Sequence, residues 1–219
     1  MSAVVCPETA THPGLDGGFD AGLHAALAAA TAGDEEAFVA LYRDLQPRLF
    51  RYASALVGAE AEDVTAETWL HVARDLRRFT GDLDGFRGWV TTICRNRAMD
   101  SARARSRRPV QAVDPSEIAE PSGAAVVGDA RTDDSALERL GTRRALALIL
   151  TLPRTEAEAV LLRTVVGLDG ATAARVLGKR PGAVRVAAHR GLRRLAERLA
   201  EQDGAEQTPV GGTREVRDV

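Results

Sequence analysis

The chain has 219 residues, of which 45% are hydrophobic and only 4% aromatic, and its formal net charge at pH 7 is −2. This length accommodates one medium domain or two small ones, and the scarcity of aromatic side chains favours an all-α core of Leu, Val and Ala. The distant Cys6 and Cys94 indicate neither a disulfide framework nor a zinc site. Because no apolar run approaches the ~20 residues of a membrane span and no signal peptide is evident, we expect a cytoplasmic protein without metal or cofactor.

The first elements are a lead-in and one long helix. Residues 1–19 show no hydrophobic periodicity that would indicate a helix or a strand, and they are predicted to be disordered. Asp34 is the expected N-cap of the helix and Gly58 its stop, while Pro47 should bend the helix or break its hydrogen bonding locally. The apolar positions that follow helical spacing are Phe38, Leu41, Tyr42, Leu45, Leu49, Tyr52, Ala53 and Leu56.

Two more helices complete the predicted N-terminal domain. One begins at about Glu60, and the next begins near Phe86 and continues until Pro109. The residues expected to be buried on the first of them are Trp69, Val72, Ala73 and Leu76. Three helices of this size can close a small core, so residues 20–108 are predicted to form one domain.

The C-terminal part is predicted to be a second helical domain. Residues 109–132 are aperiodic and read as a flexible linker, residues 133–201 form the domain, and residues 202–219 are expected to be a disordered tail. The expected helix boundaries are Pro153, Thr155 as an N-cap, Gly167, Gly178 and Pro181.

Charge is segregated along the chain. Residues 95–108 carry six arginines and one acid, and residues 175–198 carry seven arginines, one lysine and one acid. Residues 109–138 between them carry seven acids and one arginine. This arrangement predicts a polyanion bound at two places. The linker would reach roughly 80 Å when fully extended, so these places can be well separated.

The segment from Glu156 to Leu199 has the layout of a helix-turn-helix. The residues of the last helix expected to pack inward are Val184, Ala188, Leu192, Leu195 and Leu199. Those expected to face outward are Arg185, Val186, His189, Arg190 and Arg193. Such a helix can enter the major groove, with base edges at its start and phosphates at its arginines. A membrane-surface helix and a merely solvated helix face are the alternatives.

The third helix pairs aromatic residues with a basic run in "FRGWVTTICRNRAMDSARARSRRP". Phe86 and Trp89 can stack on bases, although Trp89 also suits a core position. The arginines that can follow a phosphate backbone are Arg103, Arg105, Arg107 and Arg108.

These motifs resemble a known family. "AEDVTAETWLHVARDLRRF" and "FRGWVTTICRNRAMD" resemble region 2 of the extracytoplasmic function sigma factors, group 4 of the sigma-70 family. "LPRTEAEAVLLRTVVGLDGATAARVLGKRPGAVRVAAHRGLRRL" resembles their region 4. The resemblance implies a factor that binds core RNA polymerase, recognises the minus-thirty-five promoter element with its helix-turn-helix, and melts and captures the minus-ten element. It also implies an anti-sigma factor as a partner.

The resemblance, together with the stacking and charge arguments, assigns three sets of site residues. Those expected to contact the clamp helices of the largest polymerase subunit are Asp63, Glu67 and Trp69. Those expected at the minus-ten element are Phe79, Asp82, Phe86, Trp89, Asn96, Arg97, Asp100 and Arg103. Those expected at the minus-thirty-five element are Lys179, Arg180, Pro181, Gly182, Arg185, Val186, His189 and Arg190. Region 4 is also expected to bind the polymerase flap.

The sequence departs from the family's pattern in both regions. Ala66 replaces the usual glutamine of region 2, and Arg180 and Ala187 replace a frequent Ser and Arg of the recognition helix, so promoter preference does not transfer. Since no P-loop, nucleophile elbow or metal-ligand cluster is evident, we expect no catalysis by the chain itself. The alternative functions are a stand-alone helix-turn-helix regulator and a polymerase-binding adaptor that does not melt DNA.

Overall fold

The structure, a computed structural model, describes residues 16–107 and 134–206. The helices of the first stretch are α1 (Asp16–Ala32), α2 (Glu35–Val57), α3 (Ala61–Asp75) and α4 (Leu83–Arg107), with 3₁₀ turns at Gly58–Glu60 and Leu76–Arg78. Those of the second are α5 (Asp134–Leu150), α6 (Arg154–Val160), α7 (Gly170–Leu177) and α8 (Pro181–Glu206), with a π-helical segment at Leu161–Val166. Every regular element in these stretches is helical, which confirms the all-α prediction. The predicted linker, residues 109–132, lies outside the described residues.

Helix α2 is the centre of the N-terminal helices α1–α4. Its N-cap is Asp34, whose carboxylate accepts a hydrogen bond from the backbone N–H of Ala37 at 3.0 Å, as the sequence predicted. The helix ends at Gly58, with φ 65°, and continues through Pro47, whose ring is exposed. Its buried side chains are Leu41, Leu45, Leu49, Tyr52, Ala53 and Val57. The predicted apolar face is therefore the core face, although Tyr42 lies at its exposed margin.

Helix α1 was missed by the sequence reasoning. It begins at Asp16, inside the predicted lead-in, and packs along α2. Leu23, Leu27 and Ala30 are buried at spacing i, i+4, i+7. Most of the remaining residues of α1 are also Ala or Gly, so few polar side chains mark its exposed face. The helical spacing of the buried residues is therefore hard to recognise in the sequence.

Two boundaries in the N-terminal helices also differ from the prediction. Helix α4 starts at Leu83 rather than near Phe86, because Asp82 caps it by accepting a hydrogen bond from the N–H of Gly85 at 2.7 Å. Ala73, predicted to be buried on α3, is exposed, whereas Val72 and Leu76 are buried as predicted.

The C-terminal helices α5–α8 contain three corrections. Thr155 is not an N-cap: it lies inside α6, which starts after Pro153 without a side-chain cap. Leu192 and Leu199 are 48% and 46% exposed rather than packed inward. The reason is that Gly191 brings α8 close to α6 and turns the neighbouring positions outward. Helix α8 runs to Glu206, beyond the predicted start of the disordered tail at residue 202.

The C-terminal helices pack against the N-terminal ones. The π-helical segment and α2 are in contact, and α7 lies on α4. The buried apolar side chains of both groups belong to one continuous core cluster. Within the described stretches, no helix is long and apolar enough to cross a bilayer.

Candidate nucleic-acid interface

Helices α7 and α8 form the predicted helix-turn-helix. Asp169 caps α7 by accepting a hydrogen bond from the N–H of Thr172 at 2.7 Å. Hydrogen bonding by the Thr172 side chain, and after it by the backbone N–H groups of Thr172 and Ala171, lowers the pKa of the Asp169 carboxyl. Gly178 ends α7 in the left-handed conformation, φ 62°, which a glycine adopts without steric cost. The chain then turns, and α8 starts at Pro181, in the first-turn position that proline favours.

The outer face of α8 is basic and free. The eight residues predicted at the minus-thirty-five element are all exposed: Lys179, Arg180, Pro181, Gly182, Arg185, Val186, His189 and Arg190. Val184 and Ala188 are buried on the opposite face, as predicted. Within residues 16–107 and 134–206, the four cationic side chains Lys179, Arg180, Arg185 and Arg190 form no ion pair. They are therefore available to an external anion.

The later arginines of α8 serve the fold instead. Arg194 donates to Glu156 of α6 at 2.9 Å, and Arg193 pairs with Glu197 at 3.4 Å. Arg198 donates to the hydroxyl of Thr151. The basic side chains in the first half of α8 are therefore available to a partner, whereas those in the second half bind other residues of the same chain.

The acidic face of α3 matches the predicted polymerase-binding position only in part. Asp63 and Glu67 are exposed one turn apart. Trp69 is buried, and its Nε1–H donates to the side-chain oxygen of Gln46 at 2.6 Å. The Trp69 side chain therefore packs beneath this face and is not exposed to a partner. Leu70 is 72% exposed beside the acids, an apolar position that the sequence reasoning missed.

The predicted minus-ten residues fall into two groups along α4. An aromatic cluster lies at its start: Phe79 stacks on Trp89 with ring centroids 5.2 Å apart and meets Phe86 edge-on at 5.8 Å. Phe86 is 1% exposed and is a core residue, so the expectation that it stacks on a base is wrong for this arrangement. Trp89 is half-buried. Asp82 is exposed, but its carboxylate caps α4.

The second group lies about 16 Å farther along α4, given its rise of about 1.5 Å per residue. Asn96, Asp100 and Arg103 line an open cleft of about 430 Å³ together with Arg95 and Met99. Asp100 holds Arg103 at 3.1 Å. The cleft presents amide, carboxylate and guanidinium groups together, which suits hydrogen bonding to the edge of an unpaired base.

Arg97 points to a different neighbour. It pairs with Glu67 of α3 at 3.4 Å and so connects the acidic face to α4. The residues predicted to bind polymerase and those predicted at the minus-ten element therefore contact each other through this pair.

Comparison with known proteins identifies the chain. The family model for sigma-70 region 2 matches residues 41–108, and the model for sigma-70 region 4 matches residues 142–195. The ECF RNA polymerase sigma factor SigD of Mycobacterium tuberculosis is 32% identical over 183 residues, which are 81% of this chain and 84% of SigD. The chain belongs to the ECF RNA polymerase sigma factors.

Two further proteins place this sigma factor among its relatives. ECF RNA polymerase sigma factor BldN of Streptomyces coelicolor is 34% identical over 178 residues, which are 78% of this chain but only 64% of BldN. A structure of the sigma factor RpoE with the anti-sigma factor NepR, from Bartonella quintana, shares the fold with a TM-score of 0.52 and 24% identity. That match covers 74% of this chain and 96% of the other. Factors of this family act in promoter-specific transcription initiation with RNA polymerase.

The departures of this sigma factor from the family's pattern lie at accessible positions. Ala66 is exposed on α3 between Asp63 and Glu67, so a short side chain stands where the usual glutamine would extend. Ala187 is half-buried on α8. Ala66 and Ala187 shorten the side chains at their positions, whereas Arg180, exposed before α8, is longer than the usual serine.

Several groups that organise the sigma factor were not found from the sequence. Arg87 is buried, and its guanidinium binds Asp20 at 3.0 Å and Asp44 at 3.3 Å, which ties α1, α2 and α4 together. Burial raises the pKa of the Cys94 thiol to about 12, and burial also raises the pKa of the Tyr52 hydroxyl. The sequence offers no signal for the Arg87 contacts because Asp20 and Asp44 lie 67 and 43 positions away along the chain.

Proposed function

We propose that this chain directs RNA polymerase to promoters by a two-point grip. Helix α8 reads the minus-thirty-five element in the major groove, and the cleft along α4 holds an unpaired base of the minus-ten element. The exposed basic face of α8 carries the proposal, because it combines a capped helix-turn-helix with four cations that form no ion pair within residues 16–107 and 134–206, an arrangement that fits duplex recognition.

The proposed roles on α8 divide by position. Arg185 and Val186 lie in its first two turns, which a recognition helix directs to base edges. Lys179 and Arg180 precede the helix and suit phosphates, since backbone contacts fix register without reading sequence. The positive end of the helix dipole at Pro181 adds attraction for a phosphate.

The proposed role of α4 is to retain a base after it has left the stack. Flipping a base costs a few kcal/mol. Asn96 and Asp100 supply donors and acceptors for its edge, and Arg103 supplies a charge for the backbone. The exposed part of Trp89 offers a stacking surface, although Phe86 does not.

The proposed polymerase-docking face is the exposed side of α3. Asp63 and Glu67 provide negative charge, and Leu70 provides an apolar contact beside them. An apolar residue flanked by charges is the usual composition of a protein–protein contact with a polar rim. Because polymerase performs the chemistry, the chain contributes no catalytic group of its own. Its proposed location is the cytoplasm, where it would act together with polymerase. An anti-sigma factor is its proposed inhibitor, as in the complex of its structural neighbour.

The experiment is run-off transcription by core polymerase and the purified chain on a promoter library. Replacing Arg185 or Arg190 with Ala should weaken promoter recognition by about 1–3 kcal/mol where the arginine reads a base. Arg144→Ala, an exposed arginine of α5, is the matched control. Failure of the wild-type chain to bind core polymerase would leave a stand-alone regulator. Polymerase binding without promoter melting would leave an adaptor.

A further inference from the structure

One apolar side chain lies at the centre of the basic face of α8. Val186 is 46% exposed, whereas Val184 and Ala188 are buried on the inner face of the helix. At about 100° per residue, Val186 lies about 160° around the helix axis from each of these two residues. It is therefore opposite the buried side of α8. When the outer face of the helix enters a groove, this position extends farthest towards the base pairs.

The cationic side chains of α8 surround Val186 without occupying its position. Arg185 lies about 100° away around the axis, and Arg190 follows about 6 Å later along it. The residues of the first turns that lie closest to the direction of Val186 are Gly182, at about 40°, and Ala183, at about 60°. The base edges in front of the start of α8 would therefore meet small or apolar groups with charge on either side.

Gly182 is not required by the fold of the described residues. Its backbone is helical, and its φ is not positive. Within the part of the chain that the structure describes, a Cβ added at Gly182 would meet no atom within 4 Å. At Gly88 and Gly191, by contrast, an added Cβ would overlap a neighbouring side chain. Because glycine is a poorer helix former than alanine, a glycine at Gly182 is better explained by the close approach of a ligand to the backbone.

The chemistry of Val186 limits what it can recognise. A valine side chain neither donates nor accepts a hydrogen bond. In a helix it holds one strongly preferred rotamer, so its two methyl groups point in a fixed direction before DNA binds. Val186 therefore presents a rigid apolar surface to the groove.

Thymine offers the matching group. Among the groups that distinguish the base pairs in the major groove, the C5-methyl of thymine is apolar, and the others are hydrogen-bond donors or acceptors. A valine packed against a donor or acceptor would displace water without replacing its hydrogen bond, which is unfavourable. Packed against the methyl group, it removes apolar surface from water on both partners.

We propose that Val186 selects a thymine in the minus-thirty-five element by packing against its C5-methyl group. Gly182 lets the start of α8 approach the DNA closely enough for this contact. The inference rests on the proposed function, because it requires α8 to lie in the major groove, and it adds the base and the atom that are recognised. Loss of the methyl contact should weaken binding about fourfold. This factor corresponds to ~0.8 kcal/mol for one buried methylene-sized group, at about 1.4 kcal/mol per factor of ten.

The test uses holoenzyme, formed from core polymerase and the full chain, on a promoter selected by run-off transcription from the library. Each thymine of the minus-thirty-five element is replaced in turn by deoxyuridine, which removes only the methyl group. Affinity is measured by competition at one fixed salt concentration. One replacement should weaken binding of the wild-type factor about fourfold. At the same position, 5-methylcytosine should bind more tightly than cytosine.

Variants assign this effect to the proposed residue. Val186→Ala should largely abolish the difference between thymine and deoxyuridine, because its side chain is too short to cover the methyl group. Leu199→Ala removes an equally exposed apolar side chain of α8 and should retain the fourfold difference. Gly182→Ala should not lower the melting temperature, since the added Cβ meets nothing in the described fold, but it should weaken both promoter binding and the methyl effect.

The outcomes separate this inference from the proposed function. An element without thymine, no effect of deoxyuridine on the wild-type factor, or an equal effect on Val186→Ala overturns the inference. Promoter-directed transcription without a methyl effect overturns the inference alone and leaves the proposed function standing. A library that yields no promoter for the wild-type holoenzyme overturns the proposed function and the inference with it.

Discussion

Replacing Arg87 with alanine should destabilise the protein by about 3 kcal/mol, because it leaves a buried carboxylate without its partner. Arg87 and Asp44 have side-chain exposures of 10% and 6%, and breaking such a buried pair costs about 3–5 kcal/mol. Asp44 retains Arg48 at 3.3 Å, which places the expected cost at the lower end of this range. The other partners, Asp20 and Asp84, are 45% and 60% exposed, and such pairs contribute only about 0–1 kcal/mol each.

The assay is urea unfolding followed by circular dichroism, with thermal melting as a second measure. A loss of about 3 kcal/mol should lower the melting temperature by roughly 6–12 °C for a chain of this size. Adding Asp44→Asn to Arg87→Ala should recover about 1–2 kcal/mol, since the neutral amide no longer needs a cation. Arg74→Ala, which removes an exposed pair with Asp75, is the control and should not change the midpoint. A loss below about 1 kcal/mol, or no recovery with Asp44→Asn, would refute the buried-charge argument.

Three further changes test other parts of the fold. Because the pKa of Cys94 is raised from 9.0 to about 12 in the folded chain, the unfolded state loses its proton first, and the free energy of unfolding should fall as pH rises from 9 towards 12. Cys94→Ala should make this decline shallower in urea titrations, and an identical slope contradicts the assignment. Gly191→Ala would place a Cβ 2.8 Å from Cγ2 of Val160 and should cost about 1–3 kcal/mol in urea unfolding, whereas a gain would show that α8 can shift. Asp169→Ala removes the cap on Thr172 and should cost about 1 kcal/mol at pH 7. Since the folded pKa of Asp169 is lowered, this difference should shrink as pH falls below 3.8, and a constant difference contradicts the capping role.

Features set by neighbours along the chain were predictable from the sequence. The cap at Asp34, the ends of α2 and α7 at Gly58 and Gly178, and the start of α8 at Pro181 all lie where the sequence placed them. Each of these signals acts within one or two turns of a helix, so it can be read without knowing the fold. The exposed basic face at the start of α8 follows from the same local periodicity.

The candidate site was less predictable where a residue type suits two environments. Phe86 and Trp69 carry aromatic rings that serve equally in a core or at a contact, and the structure buries both. Leu192 and Leu199 have helical spacing for burial, but Gly191 moves the contact line of α8 away from them. Periodicity identifies a face to within about one residue, and the shape of the packing partner decides which side chains on its margin are covered.

The sequence by itself determined that the chain is helical, that its last helices form a helix-turn-helix, and that two of its segments are strongly basic, because these properties depend on local hydrogen bonding and on charge counted along the chain. Only the tertiary structure decided that Arg87 joins three helices, that Glu158 holds Arg95, and that α7 lies against Gly88. Such contacts join residues 43 to 84 positions apart, where no period links the partners. Their existence depends on how completed helices pack, and that choice is made by shape and burial rather than by any local pattern.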